Sequence, residues 1–406
     1  MILQLGWRNI WRNKRRTAVI LAAVIIGVWA MIFMGALMRG IADQMVRNSI
    51  ATLPGHIQIQ KVGFRNDPVI EHFIQAPQKL APLLARLPAD ARWAPRISIS
   101  AVAANARHSD GVLLTGIDPG REARISFIGD AVYQGHYLGK DEPNGIIVGR
   151  ALLDKFETRL GHKLVLMSQG TDGEIASRAF RIVGVFRAEM ESTEKKFVFV
   201  TLPAAQAMLK AGGEVSEIAI QLGNYHDAAA VANSIRAGIP DRTLKVYTWQ
   251  ELLPLVTAIV KMYDGFILVW FIVVFIAMGF GLVNTILMAV FERVREFGLL
   301  RALGMKPRLV VAEVLAESFF LLAIGTLIGN LLGLASVWLL SGKGIDLSAF
   351  AQGMEFAGMS RIIFPVLYAR DVISADLVVF LLGLLISLYP ALKAARFTPI
   401  EAMAHV

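Results

Sequence analysis

Seven histidines, at 56, 72, 108, 136, 162, 226 and 405, are the side chains best suited to acid–base or metal chemistry, and their spacing supports neither. None falls at i and i+4 around the glutamate of a zinc-protease helix, and no Gly-x-Ser-x-Gly elbow presents a serine nucleophile. His108 and Asp110, and His226 and Asp227, are neighbours in polar stretches where such side chains are ordinarily solvated. A phosphate-binding loop needs Gly-x-x-x-x-Gly-Lys-Ser/Thr so that backbone N–H groups cradle the anion. Ser341-Gly342-Lys343-Gly344 lacks the first glycine and the hydroxyl. The chain is therefore expected to be no enzyme: catalytic residues none, metal none, cofactors none. There is no cysteine, so thiol chemistry is excluded as well.

Two segments are built for contact rather than reaction. Glu292-Arg-Val-Arg-Glu-Phe-Gly-Leu-Leu-Arg-Ala-Leu-Gly304, followed by Met305, Lys306 and Pro307, reads as a short helix stopped by Gly304. Val294, Phe297 and Leu300 share one side, with Arg293, Glu296 and Arg301 nearby. Such a helix either lies along a membrane surface or docks on a partner, and composition leaves both open. Gly325, Gly329 and Gly333 repeat every four residues, either a stripe facing lipid or a groove where a helix of the same chain or of another subunit approaches closely.

These segments sit in a membrane frame. Apolar residues make up 55% of the chain and charged ones 18%, against roughly 25% charged in soluble domains. The apolar excess falls into spans at 17–37, 265–291, 318–340 and 377–392, the last containing Pro390 and ambiguous with a re-entrant segment. The first is too long for the core of a cleaved signal peptide and is read as an anchor. Arg8, Arg12, Lys14, Arg15 and Arg16 precede it, and Arg293, Arg295, Arg301, Lys306 and Arg308 crowd the 292–317 loop. By the positive-inside rule, 1–16, 292–317 and 393–406 are cytoplasmic, while 38–264 and 341–376 are outside. The net charge of +9 then reports topology rather than nucleic-acid binding. Leu3, Trp7, Ile10 and Trp11 mark 1–16 as a basic amphipathic helix, either interfacial or a continuation of the first span. The spans offer no proton relay: Asn284 is the main polar residue of the second, and Glu313 and Glu317 only flank the third.

Residues 38–264 have soluble composition and read as an α+β domain with two lobes. Strands are expected at 56–61, 112–114, 146–148, 163–167, 180–186 and 197–200, and a β-α-β unit at Glu217–Trp249.

The stretch ERVREFGLLRALGMKPRLVVAEVLAESFFLLAIGTLIGNLLG resembles the second-to-third-span region of ABC-transporter permeases of the MacB/LolCE/FtsX-like superfamily. RNIWRNKRRTAVILAAVIIGV, GVLLTGIDP, GIIVGRALLDKFETRLGHKLVLM and LYPALKAARFTPIEAMAHV resemble its first span, its external domain and its C-terminal signature. The resemblance implies a four-span bacterial inner-membrane subunit with a porter-like β-α-β lobe and a second, β-rich lobe in its periplasmic domain. It also implies a second permease protomer and a separate cytoplasmic ABC ATPase that binds ATP and Mg. The loop helix would be the coupling helix, with Arg293, Arg295, Glu296, Leu299, Arg301 and Leu303 as ATPase-docking residues. A periplasmic adaptor or chaperone and membrane lipids complete the implied partners. Length and layout resemble the lipoprotein-releasing LolC/LolE branch; MacB-like tripartite efflux and FtsX-like signal transduction are the alternatives within the superfamily.

Overall fold

The computed structural model describes residues 2–139, 142–188, 190–239, 241–346 and 362–397. The chain forms two compact units, Met1–Met45 with Ala258–Val406, and Val46–Thr257. Part of the 341–376 loop, and Pro399 and Glu401 of the C-terminal signature, lie outside the described residues.

Among the described residues, four helices are long and apolar enough to cross a membrane: Lys14–Thr52, Pro254–Glu292, Pro307–Ser341 and Ala369–Arg396. Each contains one of the four apolar stretches, and each is longer than its stretch. At 39 residues, the first and second helices are about 58 Å long, almost twice the roughly 30 Å of bilayer hydrocarbon. Arg39, Asp43 and Arg47 end the apolar run of the first helix without ending the helix. Its breaker is Pro54-Gly55, with Gly55 at φ 65°. The fourth helix starts at Ala369 and runs 28 residues with Pro390 buried inside it.

The glycine stripe of the third span packs on the first. A Cβ added to Gly325, Gly329 or Gly333 would stand 2.6, 2.7 and 2.9 Å from Val24, Val28 and Ile32 respectively. Each four-residue step of glycines thus matches a four-residue step of β-branched side chains, so the two backbones approach closely. Of the readings open to this stripe, the structure shows packing on a helix of the same chain.

The second unit is built on a ten-stranded sheet. Its strands are β1 (Ile57–Lys61), β2 (Arg92–Ala104), β3 (Ser109–Ile117), β4 (Val132–Gly135), β5 (Gly145–Gly149), β6 (Lys163–Gln169), β7 (Ile175–Phe186), β8 (Phe197–Thr201), β9 (Glu217–Gln221) and β10 (Leu244–Thr248). The order is β10-β1-β9-β2-β3-β8-β5-β7-β4, with β6 pairing both β2 and β7. The strands of the expected β-α-β unit are β9 and β10, joined by helix Ala228–Gly238, but they are not neighbours. β1 lies between them, antiparallel to both, and its polar Gln58 and Gln60 are buried along with Ile57 and Ile59.

β2, the longest strand, was not among the expected ones. Pro95 and a run of small residues blur its pattern, and tertiary pairing supplies what local propensity lacks. Residues 92–96 pair with β9, 96–104 with β3 and 102–104 with β6. Phe73, Phe156, Phe180 and Leu114 are among the residues of the main core beneath it, each fully buried aromatic or leucine contributing about 1.5–3 kcal/mol.

Within β2, Arg96 is 1% exposed. It clasps both oxygens of Glu122, Nη2 to Oε1 at 2.6 Å and Nε to Oε2 at 2.9 Å, and its Nη1 donates to the carbonyl of Leu53. Glu217 stands 3.6 Å from the same guanidinium, and burial pushes its carboxyl above the ordinary carboxylate range. Arg96 thereby satisfies a carbonyl left free just past the end of the helix Lys14–Thr52.

Candidate coupling site at the loop helix

The second span ends at Glu292, Arg293 leaves helical geometry with φ −109°, and the loop helix runs Val294–Ala302. Its end is a Schellman stop: Met305 N–H donates to Leu300 O and Gly304 N–H to Arg301 O, both at 3.0 Å. Gly304 has φ 98°, a conformation only glycine adopts without strain. Pro307 then opens the third span, where its missing N–H costs nothing.

One face of the loop helix is committed to the protein. Val294 and Phe297 are buried, and Arg293 turns inward with its side chain 9% exposed. The guanidinium donates to Glu313 Oε1 at 2.8 Å, Glu317 Oε2 at 3.3 Å and Glu296 Oε2 at 3.1 Å, and stacks 4.9 Å from the Phe297 ring. Arg16 reaches Glu317 at 3.0 Å and Glu292 at 3.4 Å, while Asn9 donates to Glu313 at 2.8 Å. Arg12 forms a two-pronged pair with Glu296. Its hydrogen bond, and then that of Arg293, holds the Glu296 carboxyl below the usual carboxylate range. Arg301 donates to the carbonyls of Ala395, at 3.1 Å, and Phe397. The loop helix is thus strapped to the N-terminal helix Ile2–Arg12, to the start of the first and third spans and to the end of the fourth.

The opposite face is bare. Leu299 is 58% exposed and Leu303 76%, and with exposed Arg295 they form a ridge at i, i+4 and i+8. Of the six residues singled out in the sequence, Arg295, Leu299 and Leu303 lie on this ridge and Glu296 is half-buried at its edge. Arg293 and Arg301 are engaged in internal bonds and do not share the ridge. Sequence reasoning missed the carboxylate side of the cluster. Its signal was Glu313 and Glu317, four residues apart and so on one helical face, at the threshold of an apolar span. The arrangement gives the loop helix one accessible face and one bonded face, a handle on the ends of four helices.

Residues 17–237 match the family model of the MacB-like periplasmic core domain, and residues 252–399 that of the FtsX-like permease C-terminal region. The chain is 22% identical over 420 aligned residues to the lipoprotein-releasing system transmembrane protein LolC of Neisseria meningitidis, covering 99% of this chain and 98% of that one. It is 20% identical to LolE of Haemophilus influenzae, with 98% of both chains covered. It is 32% identical to the macrolide export ATP-binding/permease protein MacB of Bdellovibrio bacteriovorus over 133 residues, 31% of this chain and 17% of that protein. Among solved structures, the periplasmic region of MacB from Actinobacillus actinomycetemcomitans aligns with 52% of this chain and 97% of its own, at a TM-score of 0.36 and 12% identity.

Proposed function

The chain belongs to the ABC-transporter permease family that joins a MacB-like periplasmic core domain to an FtsX-like C-terminal region, and on that premise we propose that it transmits the force of a separate cytoplasmic ATPase to its periplasmic domain. It is a multi-pass protein of the bacterial inner membrane type, with both termini and the loop helix on the cytoplasmic side in this reading. The ATPase supplies ATP and Mg binding; this chain supplies the contact surface and the moving helices. A second permease protomer, identical or homologous, completes the assembly.

The observation that carries the reading is the Arg295–Leu299–Leu303 ridge on a helix whose other face is ion-paired into the span ends. Two exposed leucines on a polar face need an apolar groove, and a helix fixed to four span ends passes on any push applied to it. Full-length similarity to LolC and LolE favours lipoprotein release as the work done. β1, β9 and β10 with their crossover helix then form the porter-like lobe, and the strands from β3 to β8 the second, β-rich lobe.

The test is co-purification of tagged permease with the ABC ATPase of the same cells, followed by release of a membrane-bound lipoprotein from proteoliposomes. Leu299→Asp with Leu303→Asp is expected to lose the ATPase and leave the permease folded. An undiminished yield of ATPase with that variant overturns the docking surface. ATP-dependent export of a macrolide without lipoprotein release would reassign the substrate.

A further inference from the structure

Helix Ile2–Arg12 has three distinct faces. One is packed on the third span: Ile10 is fully buried, Asn9 bonds Glu313, and a Cβ on Gly6 would stand 3.1 Å from that of Ala316. A second face presents Leu3, Trp7 and Trp11, which are 60%, 43% and 50% exposed. Trp7 meets Phe320 edge-on at 5.4 Å and Trp11 at 5.9 Å, so the aromatic face stands level with the beginning of the apolar part of the third span.

The third face, continued into the next helix, is cationic. The five basic residues here divide into two groups. Arg12 and Arg16 are taken up by Glu296, Glu292 and Glu317. Arg8, Lys14 and Arg15 are exposed, and among the described residues none of the three makes an ion pair. The chain has no acidic residue before Asp43, so no carboxylate adjacent in sequence neutralises them.

Indole rings flanked by free cations at the foot of an apolar span fit one partner, a bilayer surface with negatively charged headgroups. Tryptophan settles at the boundary between headgroups and acyl chains, and each juxtamembrane cation there strengthens attraction to anionic lipid several-fold. We propose that Arg8, Lys14 and Arg15, with Trp7 and Trp11, form a binding site for anionic phospholipid headgroups. Arg12 on the same helix clasps Glu296 of the loop helix, so a lipid held here also steadies the handle. The inference rests on this end of the helices meeting a membrane surface, and not on ATPase docking.

Native mass spectrometry of the full chain in detergent, titrated separately with phosphatidylglycerol and phosphatidylcholine, tests it. Arg8→Gln with Lys14→Gln and Arg15→Gln should weaken phosphatidylglycerol binding at least tenfold and leave phosphatidylcholine binding unchanged. The charge-conserving Arg8→Lys, Lys14→Arg and Arg15→Lys variant should bind like the parent, which separates lost charge from misfolding. Unchanged phosphatidylglycerol binding in the Gln variant, or an equal fall for both lipids, overturns the proposal. Loss of ATPase capture by the Leu299→Asp, Leu303→Asp variant with lipid binding intact would not touch it.

Discussion

Arg293 and Glu313, twenty residues apart in sequence, meet at 2.8 Å inside the helical unit, with Glu317 on the other prong of the same guanidinium. Removing one member of a buried pair strands the charge of the other, which costs about 3–5 kcal/mol. Arg293→Met should therefore lower the thermal midpoint of the purified chain strongly. Arg293→Lys should fall between, since an ammonium cannot serve three carboxylates in the geometry of a planar fork. A midpoint for Arg293→Met indistinguishable from the parent would refute the pairing.

The exposed strap behaves differently. Arg12 and Glu296 keep 57% and 42% of their side chains in solvent, and pairs of that kind contribute about 1 kcal/mol or less. A double-mutant cycle with Arg12→Gln and Glu296→Gln should give a coupling energy in that range, shrinking as salt is raised. A coupling above about 2 kcal/mol would mean the pair is closed off from solvent.

At Gly329 the third span meets both a side chain and a backbone carbonyl of the first. Gly329→Val places methyl groups where Val28 and the carbonyl of Ile25 already stand, 2.7 and 3.0 Å from the new Cβ. Overpacking of this sort costs about 1–3 kcal/mol. Val28→Ala in the same chain should recover part of the loss, since it vacates the methyls but leaves the Ile25 carbonyl in place. Failure of Val28→Ala to recover any stability in thermal unfolding would show that the helices do not meet there.

His56 gives the second unit an acid-sensitive point. Its buried Nδ1 accepts from the Leu222 N–H at 2.9 Å, and desolvation, then the nearby Arg47 charge, lowers its pKa to about 4. The folded form thus holds a neutral ring that the unfolded chain protonates near pH 6.5. The stability it contributes is complete above pH 6.5 and is lost as pH falls towards 4. The full shift corresponds to about 3 kcal/mol, and solvent screening reduces this to about 2 kcal/mol. His56→Gln should flatten the stability profile between pH 6.5 and 4; an unaltered slope would assign the acid sensitivity to other groups.

How far the chain could be read without coordinates differs from residue to residue. The apolar stretches were visible because lipid selects them by composition alone. Where their helices end was not, because Arg39 and Asp43 report departure from lipid and not the end of hydrogen bonding; only Pro54-Gly55 does that. The loop helix was legible through Gly304 and Pro307. Its inward and outward faces were not, since Arg293 and Arg295 are the same residue type two positions apart. Only the register against Glu313 and Glu317 tells them apart. In the sheet, β9 and β10 were legible as strands around a helix. The insertion of β1, delivered from more than 150 residues upstream of β9, is a non-local event that no short window records.

The length of the first helix has a mechanical consequence. A rod of about 58 Å pivoting by about 5° at one end sweeps its other end through about 5 Å, a distance comparable to one helical turn. Amplification of that size asks for only a slight swing at the charged foot, where Arg16 grips Glu292 and Glu317.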